Sequence, residues 1–152
     1  MRIIMKNTLV IDTSDKVARF GLFQDDKLVD TLEWEAHREL SKTFYAKLDE
    51  LLERNKLSYQ DLDSIIVVCG PGSFTGLRIG TVIVNAFAYA LEIETAGVIQ
   101  PPCHSGLDPE SKPLKKLTLE EIYNAGKKDL KKGRTLEPFY GREPNITAKK
   151  KK

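Results

Sequence analysis

The stretch that most constrains this chain is Gly70-Pro71-Gly72-Ser73-Phe74-Thr75-Gly76-Leu77-Arg78-Ile79-Gly80, directly after an apolar, β-branched run at 65–69. A continuous apolar run this short reads as a strand covered on both faces. Gly-Pro-Gly then turns the chain sharply, since Gly can take φ > 0. A mostly apolar helix should follow, ending near Leu91, with Ser73 or Thr75 placed to cap its first N–H groups. Such a helix start is an anion site in principle. The segment lacks GK[ST] and has the wrong spacing for GxGxxG, so it is neither a Walker A loop nor a dinucleotide fingerprint. Gly76 and Gly80 lie one helical turn apart, with Val84 and Ala88 continuing the stripe. Each Gly costs about 1 kcal/mol against Ala inside a helix. Close approach of another backbone is the usual compensation, from this protein's own sheet or from a partner helix.

The flanking sequence supplies the rest of an α/β plan. Residues 9–12 are a short apolar run ending on Asp12, and Thr13-Ser14 follow. Residues 17–23 alternate as a half-buried strand should, 24–27 form a polar turn, and 28–34 return as a third strand of an antiparallel meander. Over 40–55 the period becomes helical, with Leu40, Phe44, Leu48, Leu51 and Leu52 on one face. Three strands, a helix, a strand and a helix predict a mixed sheet over residues 1–99. Residues 100–117 hold Pro101, Pro102, Pro109 and Pro113 without a period and read as a linker or insertion. Thr118 and Glu121 have capping-box spacing, so a C-terminal helix should start there and end near Gly133. The prolines make 136–147 extended, and 148–152 are expected to be a disordered basic end.

Composition narrows the function classes. The N-terminus has no apolar h-region, and the apolar stretch 79–91 is too short for a bilayer, so a cytoplasmic protein without a membrane role is expected. Cys69 and Cys103 make no disulfide framework, and His37 and His104 do not complete a zinc set. There is no HExxH, and no nucleophile–base pair is apparent. Net charge is +2, but residues 1–111 hold 11 Lys/Arg against 17 Asp/Glu, and residues 112–152 hold 13 against 5. The basic end reads first as a solvated tail and second as a surface for RNA or an acidic partner.

The eleven-residue string GPGSFTGLRIG resembles the characteristic segment of the TsaB (YeaZ) family. Ile11-Asp12-Thr13-Ser14 resembles that family's opening IDTS, and Leu48 to Leu52 the end of its first helix. Ser41 falls where the family often has Ser. Leu40 stands where it often has His, so His37 inherits no role. Pro138, Tyr140, Arg142 and Pro144 are similar to its closing P-x-Y-x-R-x-P signature. The resemblance covers roughly 8–99 and 117–147. It implies an actin/Hsp70/sugar-kinase-like N-terminal domain with the second domain truncated, and the segment CHSGLDPESK is foreign to it.

By resemblance, the expected function is a non-catalytic scaffold that pairs with TsaD, with the ATPase TsaE joining. TsaD then threonylcarbamoylates adenosine 37 of tRNAs reading ANN codons. No cofactor is expected on this chain, ATP and metal belonging to the partners, and tRNA would be met only through the complex. The family's pairing helices correspond to 40–55 and 75–91, which places Leu40, Phe44, Thr75, Gly76, Arg78, Gly80 and Val84 at the expected interface. A homodimer through the same helices is the related expectation. Asp12, Thr13, Ser14 and Ser73 are the residues expected to face an anion or nucleotide. The alternatives are a phosphotransferase or ATPase of the sugar-kinase-like class, and a degenerate fragment that folds without assembling.

Overall fold

The computed structural model describes residues 5–100, 117–133 and 135–139. In chain order these form β1 (Asn7–Asp12), β2 (Val17–Gln24), β3 (Lys27–Glu35), α1 (Leu40–Arg54), β4 (Ser64–Gly70), α2 (Phe74–Leu91), β5 (Glu94–Ile99) and α3 (Leu119–Gly126). The strands make one mixed sheet in the order β3-β2-β1-β4-β5. The meander β1-β2-β3 is antiparallel as expected, whereas β1, β4 and β5 run parallel.

Side-chain alternation explains why β1 and β4 are buried along their whole lengths. Successive residues of a strand point to opposite faces. Leu9, Ile11, Ile65 and Val67 join one core cluster with Phe44 and Leu48 of α1 and Val84 of α2. Val10, Ile66 and Val68 join a second cluster with Leu119, Ile122 and Tyr123 of α3. The sheet is thus sandwiched, with α1 and α2 on one side and α3 on the other. The five residues read as the apolar face of α1 are its five buried residues.

Two elements differ from expectation. The strand β5 goes beyond the sequence reading, because Ala96 and Gly97 interrupt its β-branched Thr95, Val98 and Ile99. Its Gly97 is required by packing: a Cβ there would lie 2.6 Å from Cys69 Sγ. The C-terminal helix has the expected capping box, Glu121 N–H donating to Thr118 Oγ1 and Thr118 N–H to Glu121 Oε1. It ends at Gly126 rather than near Gly133, and a Cβ at 126 would meet Ile66 Cγ2 at 2.4 Å, so close packing on β4 requires glycine there. The chain then passes through a 3-10 turn, and Lys131 bridges the β5 edge at Thr95.

Cys69 is buried as expected, at 3 % exposure. The side chain of His37, the 101–116 segment with Cys103 and His104, the closing-signature residues Tyr140, Arg142 and Pro144, and the basic end lie outside the described residues.

Candidate functional site

The loop after β1 and the turn before α2 close on one another. Ser73 N–H donates to the Ser14 carbonyl at 2.7 Å, and Thr13 Oγ1 donates to the Gly76 carbonyl at 2.7 Å. A Cβ at Gly76 would lie 2.0 Å from the Thr13 carbonyl oxygen, and one at Gly80 would lie 2.4 Å from Thr13 Oγ1. The glycine stripe therefore exists to admit this chain's own β1–β2 loop. Ser73 caps α2 by accepting from Gly76 N–H. Gly70 has φ of +140°, and a Cβ there would strike the Phe139 carbonyl at 1.7 Å.

Asp12 sits at 0 % exposure inside this junction. Its Oδ1 accepts from Ser14 N–H at 2.9 Å and from Ser14 Oγ at 2.5 Å. Its Oδ2 accepts from Arg19 Nη2 at 2.6 Å and Nε at 3.1 Å. Gln100 Nε2 donates to Ser14 Oγ and to the Pro71 carbonyl. Of the four residues expected to face an anion, Asp12, Thr13 and Ser14 are buried and bonded within the protein, and Ser73 alone is exposed. Arg19 holds Asp12 inward, whereas Thr13 and Ser14 also border the cleft beside the junction. This cleft, of about 390 Å³, is lined by Thr13, Ser14 and Ser73, together with Asp15, Lys16 and Arg38. It offers hydroxyls and mixed charge. No three His, Cys, Asp or Glu side chains among the described residues form a metal cluster.

The expected partner residues divide in the same way. Leu40, Phe44, Gly76, Gly80 and Val84 are buried in this chain, so their packing is intramolecular. Thr75 and Arg78 are exposed. The open side of α2 instead presents Phe74 at 56 % exposure and Val82 at 66 %. Arg78 lies between them with its guanidinium 5.3 Å from the Phe74 ring centroid. With Ser41 and Tyr45 of α1, Thr75, Arg78, Ile79 and Val82 line an apolar cleft of about 420 Å³. The signal was present in the sequence as Phe74, Arg78 and Val82 at i, i+4 spacing. The more conspicuous glycines of the adjacent stripe masked it. Mean hydropathy of 1.4 over 18 residues would suit α2 to a membrane span by length and composition. One of its faces is nevertheless packed on the sheet, as in a core helix.

Comparison with known proteins accounts for this architecture. Residues 34–104 match the TsaD family model, described as tRNA N6-adenosine threonylcarbamoyltransferase. An uncharacterized protein of Mycobacterium tuberculosis is 35% identical over 103 residues, 64% of this chain and 47% of that protein. The tRNA threonylcarbamoyladenosine biosynthesis protein TsaB of Bacillus subtilis is 31% identical over 90 residues, 59% of this chain and 39% of that one. The structure of YeaZ from Pseudomonas aeruginosa superposes with a TM-score of 0.58 at 25% identity, covering 62% of this chain and 44% of that one. The chain thus aligns with less than half the length of these relatives. With its first-domain fold, its GPGSFTGLRIG turn and these relatives together, the chain is a TsaB/YeaZ-like protein.

Proposed function

We propose that this chain is a non-catalytic scaffold subunit in tRNA threonylcarbamoyladenosine biosynthesis, pairing with a TsaD-type transferase and, through it, with TsaE. The observation that carries this reading is the apolar face formed by Phe74 and Val82 of α2 and Tyr45 of α1. Desolvating such side chains against a partner helix stabilises association by about 25 cal/mol per Å² of apolar area. Internal packing already occupies the other side of both helices, so the open side is the one left to a partner.

The absence of own chemistry is the second half of the proposal. Arg19 neutralises Asp12, the one fully buried carboxylate of the junction. This disfavours the phosphotransferase alternative, in which a carboxylate must reach the attacking hydroxyl or the metal on the phosphates. ATP and metal then belong to the partner subunits, tRNA is met through the assembled complex, and the protein works in the cytoplasm.

Co-expression with TsaD tests the proposal. A stable co-purifying complex, together with restoration of the modified nucleoside in TsaB-depleted cells, is the expected result. A folded chain that never captures TsaD would instead identify a degenerate fragment. Self-association through the same face would identify a homodimer.

A further inference from the structure

We propose that the slot between α2, the end of β4 and β5 is a peptide-docking site, which this chain fills with its own residues 135–139 and which accepts the same kind of segment in trans. The slot reads an extended backbone. Asn85 of α2 clasps one residue from both sides: its Nδ2 donates to the Leu136 carbonyl at 2.9 Å, and Leu136 N–H donates to its Oδ1 at 2.9 Å. Three residues on, Phe139 N–H donates to the Cys69 carbonyl at 2.7 Å. Main-chain bonds of this kind hold a peptide of any sequence, and side-chain pockets select among them.

The selecting pocket is apolar. Leu136 is 9 % exposed and belongs to the same core cluster as Cys69 and Val84, whereas Thr135 and Glu137 on either side are exposed. Gly70 makes room for the segment, since a Cβ there would overlap the Phe139 carbonyl, and Gly97 lets Cys69 sit beside Leu136. The ligand class is therefore an extended peptide with one aliphatic side chain flanked by an available N–H and C=O. Among the described residues three hydrogen bonds and one buried side chain hold the segment, so it should open without unfolding the sheet. Cys69, buried beside Gly97 and Leu136, reports that opening.

The test uses the full chain in a Cys103→Ser background, which leaves Cys69 as the reporting thiol. Its rate of modification by a maleimide is measured with and without low urea. In Leu136→Ala the slot is intact but its occupant is weakened, and the rate should rise about tenfold or more, since one buried aliphatic side chain is worth that factor. A synthetic peptide of residues 134–141 should slow it again saturably, and the same peptide with Ala at the Leu136 position should not. Asn85→Ala is the second variant: its rate should also rise, and the peptide should protect it less. Modification that tracks global unfolding by circular dichroism in every variant would overturn the proposal. A peptide that gives no protection to a folded Leu136→Ala chain would overturn it equally.

Discussion

Arg19 Nη2 lies 2.6 Å from Asp12 Oδ2 and also donates to the Leu117 carbonyl at 2.8 Å, so one guanidinium neutralises the buried carboxylate and anchors the start of the returning C-terminal segment. The Asp12 side chain is 0% exposed and that of Arg19 12%. Removing one partner of such a pair leaves an uncompensated charge, at a cost of about 3–5 kcal/mol. Arg19→Ala is expected to lower the urea midpoint by that equivalent, and adding Asp12→Asn should recover part of it. A change below about 1 kcal/mol would place the pair among ordinary surface ion pairs. The same occlusion predicts no ATP hydrolysis by the purified protein. Turnover that survives purification and disappears in Asp12→Asn would refute that.

The glycine stripe gives a second expectation, opposite in kind to one drawn from a partner helix. A methyl at position 76 meets the Thr13 carbonyl at 2.0 Å, a backbone atom that cannot rotate away. Gly76→Ala should therefore destabilise the fold by about 1–3 kcal/mol through overpacking. Gly80→Leu, opposite the Thr13 side chain, should abolish folding rather than pairing alone. Thermal melts of both variants decide this. A Gly80→Leu chain of native stability that fails only to associate would return the stripe to the interface.

Legibility followed local signal. Leu40, Phe44, Leu48, Leu51 and Leu52 announced α1 because a helix buried on one side repeats its apolar residues each turn. The Thr118–Glu121 capping box announced α3, since both groups lie within one turn. By contrast, β5 gives a broken signal: Ala96 and Gly97 interrupt its β-branched Thr95, Val98 and Ile99, and parallel pairing with β4 and the closeness of Cys69 select them. Arg19 was equally silent. It reads as one polar position of an alternating strand, and its role comes from a bond to Leu117, 98 residues away. The bonds that Asp12, Thr13 and Ser14 make inside the protein were silent on the same ground, because long-range closure decides which way a loop points.

Tyr123 of α3 makes stability depend on pH. Its ring stacks on Phe23 with centroids 4.1 Å apart, and its hydroxyl donates to Asp26, which Lys127 also approaches at 3.7 Å. Burial first, and the Asp26 hydrogen bond second, push the Tyr123 phenol up from 10.0 to about 12. A group raised on folding contributes stability that is complete below its unfolded value and lost as pH climbs through its folded one. The protein should therefore lose stability between pH 10 and about 12, and Tyr123→Phe should flatten that loss. Asp26 works in the other direction. The Tyr123 hydroxyl, then Lys127, hold its carboxyl below the usual 3.8, so its contribution is present above that value and fades as pH falls beneath it. Chemical denaturation at pH 9 to 12, with tyrosinate absorbance followed in parallel, checks the larger effect. An identical alkaline profile in Tyr123→Phe would contradict it.

The docking face provides the decisive separation between folding and assembly. Val82 is 66 % exposed, so Val82→Asp removes almost no buried packing, and the change in stability should stay within about 0.5 kcal/mol. At an apolar contact with a partner helix, however, the carboxylate would have to be desolvated without a counter-charge, at a cost of several kcal/mol. TsaD capture should therefore fall by about a hundredfold or more, which corresponds to about 2.7 kcal/mol. Arg78, 5.3 Å from the Phe74 ring centroid, belongs to the same surface, so Phe74→Ala should weaken capture less than Val82→Asp while leaving the melt unchanged. Glu120→Lys, on α3 across the sheet, serves as the surface control and should leave capture intact. Equal capture by Val82→Asp and the parent chain would place the partner surface elsewhere than on α2. Loss in Glu120→Lys alone would transfer the interface to the α3 side.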